Sequence, residues 1–201
     1  LGGEYRSMSG TSMATPQVAG ITTLVRQRMN EDPAFKKLSA SEKTSLVSNF
    51  LMGTAHPLVD LEQGEGAYYS PRRVGAGQVD ALAATTSSVY PSVVGAANPS
   101  RPKADLGDGT EGWTFQVQLT NVSDDAHTYT LGGQALSEIV EGELFTQHSK
   151  NWAGAGIDLT FSADSVTVPA QSSASLTVTV TPQAAFASSA TANAPQGPFI
   201  A

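Results

Sequence analysis

The stretch Ser9-Gly10-Thr11-Ser12-Met13-Ala14-Thr15-Pro16-Gln17-Val18-Ala19-Gly20 opens on small and hydroxyl residues and then takes on helical spacing. A serine at the start of a helix lies beside backbone N–H groups that have no intrahelical acceptor, and beside the positive end of the helix dipole. Negative charge developing next to it is stabilised. Acyl transfer needs such a place: a hydroxyl nucleophile with donors aimed at the oxyanion of a tetrahedral intermediate. Gly10 lets the backbone approach closely, and the small residues Ala14, Ala19 and Gly20 let the helix pass through a crowded core. The commonest job of a serine before a helix is plainer, to cap it with its side chain. Local physics alone leaves both roles open to Ser12.

Ala14, Val18, Ile21 and Val25 fall on one helical face with Ala19 and Leu24 beside it, which predicts a helix from about Ser12 to Met29, stopped by Asn30 and Pro33. Ser39 and Glu42 have capping-box spacing at the head of a second helix. Leu46, Val47, Phe50 and Leu51 form its apolar face and Gly53 its stop. Residues 54–78 carry Gly64, Gly66, Pro71, Gly75 and Gly77 and read as loop. A short helix over Val79–Thr85 closes this half.

Beyond a boundary near Ser88–Pro91 the period changes to two. Trp113, Phe115, Val117 and Leu119 alternate with polar residues, as do His127–Leu131 and Leu176, Val178 and Val180. Ile157, Leu159 and Phe161 form another strand, and Val166–Val168 a further one before the turn at Pro169. Short strands between turn signals predict a β-sandwich. Ala184–Pro195 reads as loop. Trp113 and Phe115 are expected in the sandwich core.

The 201 residues are 40% hydrophobic and 14% charged, without cysteine, so thiol catalysis, disulfides and thiolate metal sites are excluded. The net charge of −7 resides in the second part: residues 1–87 carry eight basic and eight acidic side chains, residues 88–201 three and ten. Such a balance repels a phosphate backbone and argues against nucleic acid as a partner. No run has the ~18 apolar residues of a membrane span.

The twelve-residue run around Ser12 resembles the active-site serine motif of the subtilases almost letter for letter: Gly-Thr-Ser-Met-Ala, a small residue, Pro, a variable position, Val-Ala-Gly. The nucleophile elbow of α/β-hydrolases, Gly-x-Ser-x-Gly, fails at Ala14. The likeness continues through Asn49–Ala55 and Ser70–Ala84, similar to the end of a subtilase catalytic domain. The Ser70-Pro71-Arg72-Arg73 form resembles the cell-envelope proteinase branch, that of lactocepin and the complement-cleaving peptidases. There a fibronectin type III-like sandwich follows directly, and residues 89–201 fit it.

The resemblance implies the following. The fold is the C-terminal helical portion of an α/β subtilisin-like catalytic domain (1–88), followed by an all-β fibronectin type III-like sandwich (89–201), truncated at its C-terminus. The activity is a serine endopeptidase acting on protein or peptide substrates through an acyl-enzyme on Ser12, secreted or cell-wall associated. Ser12 also supplies a backbone oxyanion donor, and Thr11 supports the same hole. No cofactor and no metal enters the chemistry. The triad order Asp, His, Ser puts both partners of Ser12 upstream of Leu1 in the same polypeptide. Both ends read as cut, at Leu1 and at Gly197–Ala201, which looks like a strand beginning. The chain alone is therefore expected to be inactive. The rival function is a non-catalytic binding or scaffolding module in which the serine motif is a remnant.

Other residues read more plainly. Arg72 and Arg73 are expected to anchor to a neighbouring domain or lie in a solvated turn. Asp60, Glu62 and Glu65 match no calcium loop and read as an exposed acidic loop. Asp105–Gly109 reads as a turn, His127 as a surface residue, and Asn121-Val122-Ser123 as a turn asparagine although it fits a glycosylation acceptor.

Overall fold

A computed structural model describes residues 7–61, 66–98, 101–106, 111–141, 146–184 and 186, the side chains of 138–141 and 146–148 excepted. Helix α1 spans Thr11–Glu31, a 3-10 turn Pro33–Phe35, α2 Ala40–Gly53, α3 Pro71–Val74 and α4 Ala81–Thr86. The strands are β1 Val89–Val93, β2 Trp113–Asn121, β3 His127–Thr130, β4 Leu136–Glu141, β5 Thr146–Asn151, β6 Ile157–Phe161, β7 Ser165–Val168 and β8 Ser173–Pro182. A helical portion thus precedes a β-rich one, as expected.

The helices begin where their local chemistry puts them. The Ser39 amide donates to Glu42 Oε2 at 2.7 Å while the Glu42 amide donates to Ser39 Oγ at 3.3 Å, a complete capping box on α2. Asp80 caps α4 by accepting from the Ala83 amide at 2.8 Å. The loop expected over 54–78 contains a helix, α3, because Ser70 caps it and Pro71 is pre-set for its first turn. Isolated bridges His56–Gln78 and Val59–Tyr68 fold the rest of that segment back on itself.

Strands order as β1-β2-β8-β6 in one antiparallel sheet, with two-stranded ladders β3-β7 and β4-β5. Strands β1, β4 and β5 go beyond the sequence expectation. β1 carries Pro91, which a strand tolerates at an edge, and β1 pairs only with β2. β4 and β5 lack clean alternation and exist through pairing with each other, from Leu136–Asn151 to Glu141–Thr146. Trp113 and Phe115 are half-buried, whereas Leu176, Val178 and Val168 are buried. The expectations for Gly197–Ala201, Asp105–Gly109 beyond Leu106, and Ala184–Pro195 beyond Phe186 lie outside the described residues.

Two apolar clusters form among the described residues. The first joins Val25 and Met29 of α1, Phe35, Val47 and Phe50 of α2, and Ala84 of α4, with Tyr90 and Val122 from the β portion packed on it. Phe35 and Phe50 meet edge-on with centroids 5.9 Å apart, and Phe50 meets Tyr90 at 5.3 Å. The same burial pushes the Tyr90 phenol pKa up. The second cluster is Ala135, Trp152, Ile157 and Phe186.

Polar contacts cross between the portions as well. Asn49 Nδ2 donates to the Pro91 carbonyl at 2.7 Å. The Ser70 amide donates to Ser149 Oγ at 3.0 Å, and the Ser149 amide donates to Asp60 Oδ2 at 3.0 Å. The Tyr68 amide donates to Gln134 Oε1, whose Nε2 donates to the Gly66 carbonyl. At Gly53 a Cβ would lie 2.4 Å from Pro91 Cδ, so the seam requires glycine for close approach rather than for a helix stop.

Candidate functional site

Ser12 is the second residue of α1. Gly10 is the N-cap, at φ 144°, a conformation that glycine adopts without strain, and no side chain caps the helix. The capping role open to Ser12 in the sequence is therefore not the one it has. The Met13 and Ala14 amides both donate to the Gly10 carbonyl, at 3.0 and 3.2 Å. Among the described residues nothing accepts from the amides of Thr11 and Ser12 or bonds the Ser12 hydroxyl. Thr11 is engaged only through its carbonyl, which accepts from Thr15 Oγ1 at 2.7 Å.

The electrostatics of this end favour an anion. α1 is 21 residues long, carries no acidic residue in its first turn, and has Arg28 in its last. The positive end of its dipole is not neutralised by a carboxylate of its own. Among the described residues, an amide and a hydroxyl without partners meet the helix dipole at one exposed point, Ser12. The arrangement can stabilise an oxyanion formed on a group that the hydroxyl has attacked. Among the described residues it contains no base.

Both histidines with described side chains are occupied elsewhere. His56 Nε2 lies 2.9 Å from Asp80 Oδ2, beside the cap of α4. The Asp80 carboxyl is held below its ordinary range by the Ala83 amide first and by His56 second. His127 Nε2 lies 3.1 Å from Ser123 Oγ and is half-buried, more enclosed than the surface residue expected.

The apolar stripe of α1 is buried over only part of its length. Val25 and Met29 are buried, whereas Ala14 is exposed and Val18 is 39% exposed. Periodicity predicts one continuous face; among the described residues only the C-terminal half of that face has a partner. Leu24, beside the stripe, is 51% exposed.

The remaining candidates take structural places. Asp60 is 3% exposed, not part of an exposed acidic loop, because the Ser149 amide binds it. Glu62 and Glu65 lie outside the described residues. Among the described residues no three His, Asp or Glu side chains converge on a metal position, and no helix is long and apolar enough to cross a membrane. Asn121 is 2% exposed; its Nδ2 donates to the Asp125, Val168 and Pro169 carbonyls and its Oδ1 accepts from Ser123. It is a turn asparagine, enclosed against glycan attachment. The Arg73 guanidinium stands 5.2 Å from the Tyr69 ring centroid. The sequence did not single out Arg28, which the fold makes a junction. Its guanidinium lies 5.4 Å from the centroids of both Phe35 and Phe50, and its Nη1 donates to the Ser87 carbonyl at 2.6 Å. Arg28 had no sequence signal, since none of these partners is local.

Comparison with known proteins agrees with this architecture. Residues 1–77 match the subtilase family, and residues 105–200 match an Fn3-like domain. The C5a peptidase of Streptococcus pyogenes serotype M1 is 30% identical over 182 residues, covering 88% of this chain and 14% of that protein. Another Streptococcus pyogenes C5a peptidase is 32% identical over 177 residues, with the same coverage of 88% and 14%. The PI-type proteinase of Lactococcus lactis subsp. cremoris is 32% identical over 188 residues, covering 88% of this chain and 10% of that protein. The chain thus spans 14% of the length of the C5a peptidases it matches.

Proposed function

Because this chain belongs to the subtilase family and carries an Fn3-like domain behind its helices, we propose that it is the nucleophile-bearing part of a serine endopeptidase and that Ser12 is the nucleophile. One observation carries the reading. Ser12 brings a hydroxyl and an amide that are unpartnered among the described residues to the N-terminus of a long helix on which no side-chain cap is found among them.

In the reaction, Ser12 Oγ attacks the scissile carbonyl carbon and its proton passes to a histidine. The carbonyl oxygen becomes an oxyanion, to which the Ser12 amide donates. Thr11, one residue earlier, supports the same hole. Collapse expels the amine, which leaves with the proton from the histidine. Water then cleaves the acyl-enzyme by the same sequence.

We assign the histidine and its orienting aspartate to sequence outside these 201 residues. Among the described side chains, the histidines His56 and His127 are engaged by Asp80 and Ser123, and the relatives are several times longer than this chain. A serine without a base is a weak nucleophile at neutral pH, so the chain alone is inactive. The same reading divides the chain into a catalytic part, 1–88, and a sandwich, 89–201, supported by the change from α4 to β1 across Ser87 and Ser88. The substrates are proteins or peptides and the location is extracellular, secreted or wall-associated, in keeping with relatives that are peptidases and proteinases.

The test is hydrolysis of a denatured protein by the full-length polypeptide and by its Ser12→Ala variant. The variant is expected to lose about a millionfold in kcat. A full-length wild type that hydrolyses nothing would instead make the chain a binding or scaffolding module of a degenerate protease.

A further inference from the structure

We propose that the C-terminal half of α2, with residues 54–61 and 66–70, is a permanent docking face for the β portion of the same chain, and that the helical and β portions fold and unfold as one unit. The inference is independent of the role of Ser12. Every contact it uses lies between residues of this chain, so it does not depend on what further sequence covers.

The first support is the placement of buried polar groups. Among the described residues the buried polar side chains are Asn49, Asp60, Ser70, Asn121, Ser137 and Ser149. Asn49, Asp60, Ser70 and Ser149 all stand on this seam, and each residue hydrogen-bonds across it. Asn49 Nδ2 donates to the Pro91 carbonyl, the Ser149 amide to Asp60 Oδ2, and the Ser70 amide to Ser149 Oγ. Buried polar groups persist in folded proteins when they are paired. Here the partner comes from the opposite portion, so each portion depends on the other to satisfy what it buries.

Second, the seam is fastened at two places on different sheets. Asn49 and Gly53 of α2 meet Pro91 on β1, an edge of the four-stranded sheet. Asp60 and Ser70 meet Ser149 on β5, in the separate β4-β5 ladder, and the Tyr68 amide and Gly66 carbonyl meet Gln134 just before it. A single fastening leaves a hinge. Two on different sheets remove it.

Third, the apolar core does not stop at the boundary. Tyr90 and Val122 pack on the helical cluster, and the Tyr90 and Phe50 rings stand 5.3 Å apart. A domain usually has one contiguous core of its own. This core takes residues from both portions.

Fourth, the connection is too short and too well bonded to act as a linker. Only Ser87 and Ser88 separate α4 from β1. Arg28 Nη1 donates to the Ser87 carbonyl, Ser87 Oγ to the Val89 carbonyl, and the Val122 amide to the Ser88 carbonyl. Boundaries between independent domains fall instead in exposed linkers that few contacts cross.

The test is hydrogen exchange of the full-length polypeptide, read peptide by peptide by mass spectrometry. Val178 is buried on the inner strand β8, opposite Phe115, and lies outside the cluster that α2 joins. Val25 is buried in that cluster on α1. The proposal expects Val178→Ala to speed exchange of the slowest β8 amides about tenfold and of the slowest α2 amides at least about threefold. Val25→Ala is expected to act equally in reverse, speeding α2 about tenfold and β8 at least about threefold. Where an alanine variant does not fold, Ile157→Val for the β portion or Phe35→Leu for the helices is read in its place, because each keeps a branched apolar side chain. A far-side change below about a third of the near-side change, in either direction, overturns the proposal and makes the two portions separate folding units.

Discussion

Pro16 lies four residues beyond Ser12 on α1, at the position whose backbone amide would otherwise donate to the Ser12 carbonyl. Ser12, whose hydroxyl and amide have no partner among the described residues, therefore also has a carbonyl without its helical donor. A proline here works against the helix, since its ring crowds the carbonyl four residues back. That cost falls on the turn where the proposed chemistry takes place, in keeping with strain stored at functional sites.

Replacing Pro16 by Ala restores the missing donor and removes the crowding. Pro16→Ala is expected to stabilise the chain by about 1–3 kcal/mol. Thermal unfolding measures this directly, and a variant no more stable than wild type would show that the proline is accommodated without cost.

Gly53 gives a prediction whose sign opposes helix propensity. In an ordinary helix Gly→Ala stabilises by roughly 0.5–1 kcal/mol. Here the added Cβ would lie 2.4 Å from Pro91 Cδ and 2.6 Å from Pro91 Cγ. Gly53→Ala is expected to destabilise by about 1–3 kcal/mol as α2 is pushed off β1. A gain in denaturant midpoint would mean that the seam is looser than the contact implies.

Asp60 and Ser149 make a buried link between the two portions. Asp60→Ala leaves the Ser149 amide without this acceptor and is expected to cost about 2 kcal/mol, with Asp60→Asn, which keeps an acceptor, losing less. Chemical denaturation of the three proteins gives the order; equal losses in both variants would show that the charge, not the bond, matters.

Asp80 makes stability depend on pH. Its folded pKa is depressed below the ordinary 3.8 by the Ala83 amide and by His56. Its contribution is thus fully present above the unfolded value and is lost as pH falls through the folded one. The melting-temperature gap between wild type and Asp80→Ala is expected to be constant near neutrality and to close at acid pH below 3.8. A gap that closes on raising the pH instead would have the wrong sign.

The parts of this fold legible in the sequence were those coded by neighbours in the chain. The capping box of Ser39 and Glu42 spans three residues, and the alternation from Trp113 to Leu119 needs no partner to be seen. β1, β4 and β5 were not legible, because Pro91 interrupts one and the pairing of Leu136–Glu141 with Thr146–Asn151 makes the others. At the candidate site the serine stood out through its twelve-residue motif. Which residue caps the helix did not, since Gly10 serves by conformation and not by side chain. The half-exposed face of α1 was hidden for a related reason: periodicity marks an apolar stripe but not what covers it. Arg28 bonds a carbonyl 59 residues away, and only the folded chain shows it.

The central claim is that Ser12 is the nucleophile, and fluorophosphonate labelling of the full-length polypeptide, followed by peptide mapping, tests it most directly. The account predicts an adduct on Ser12 that disappears in Ser12→Ala, while the 201-residue chain alone stays unlabelled. An adduct on another serine that persists in Ser12→Ala would contradict it.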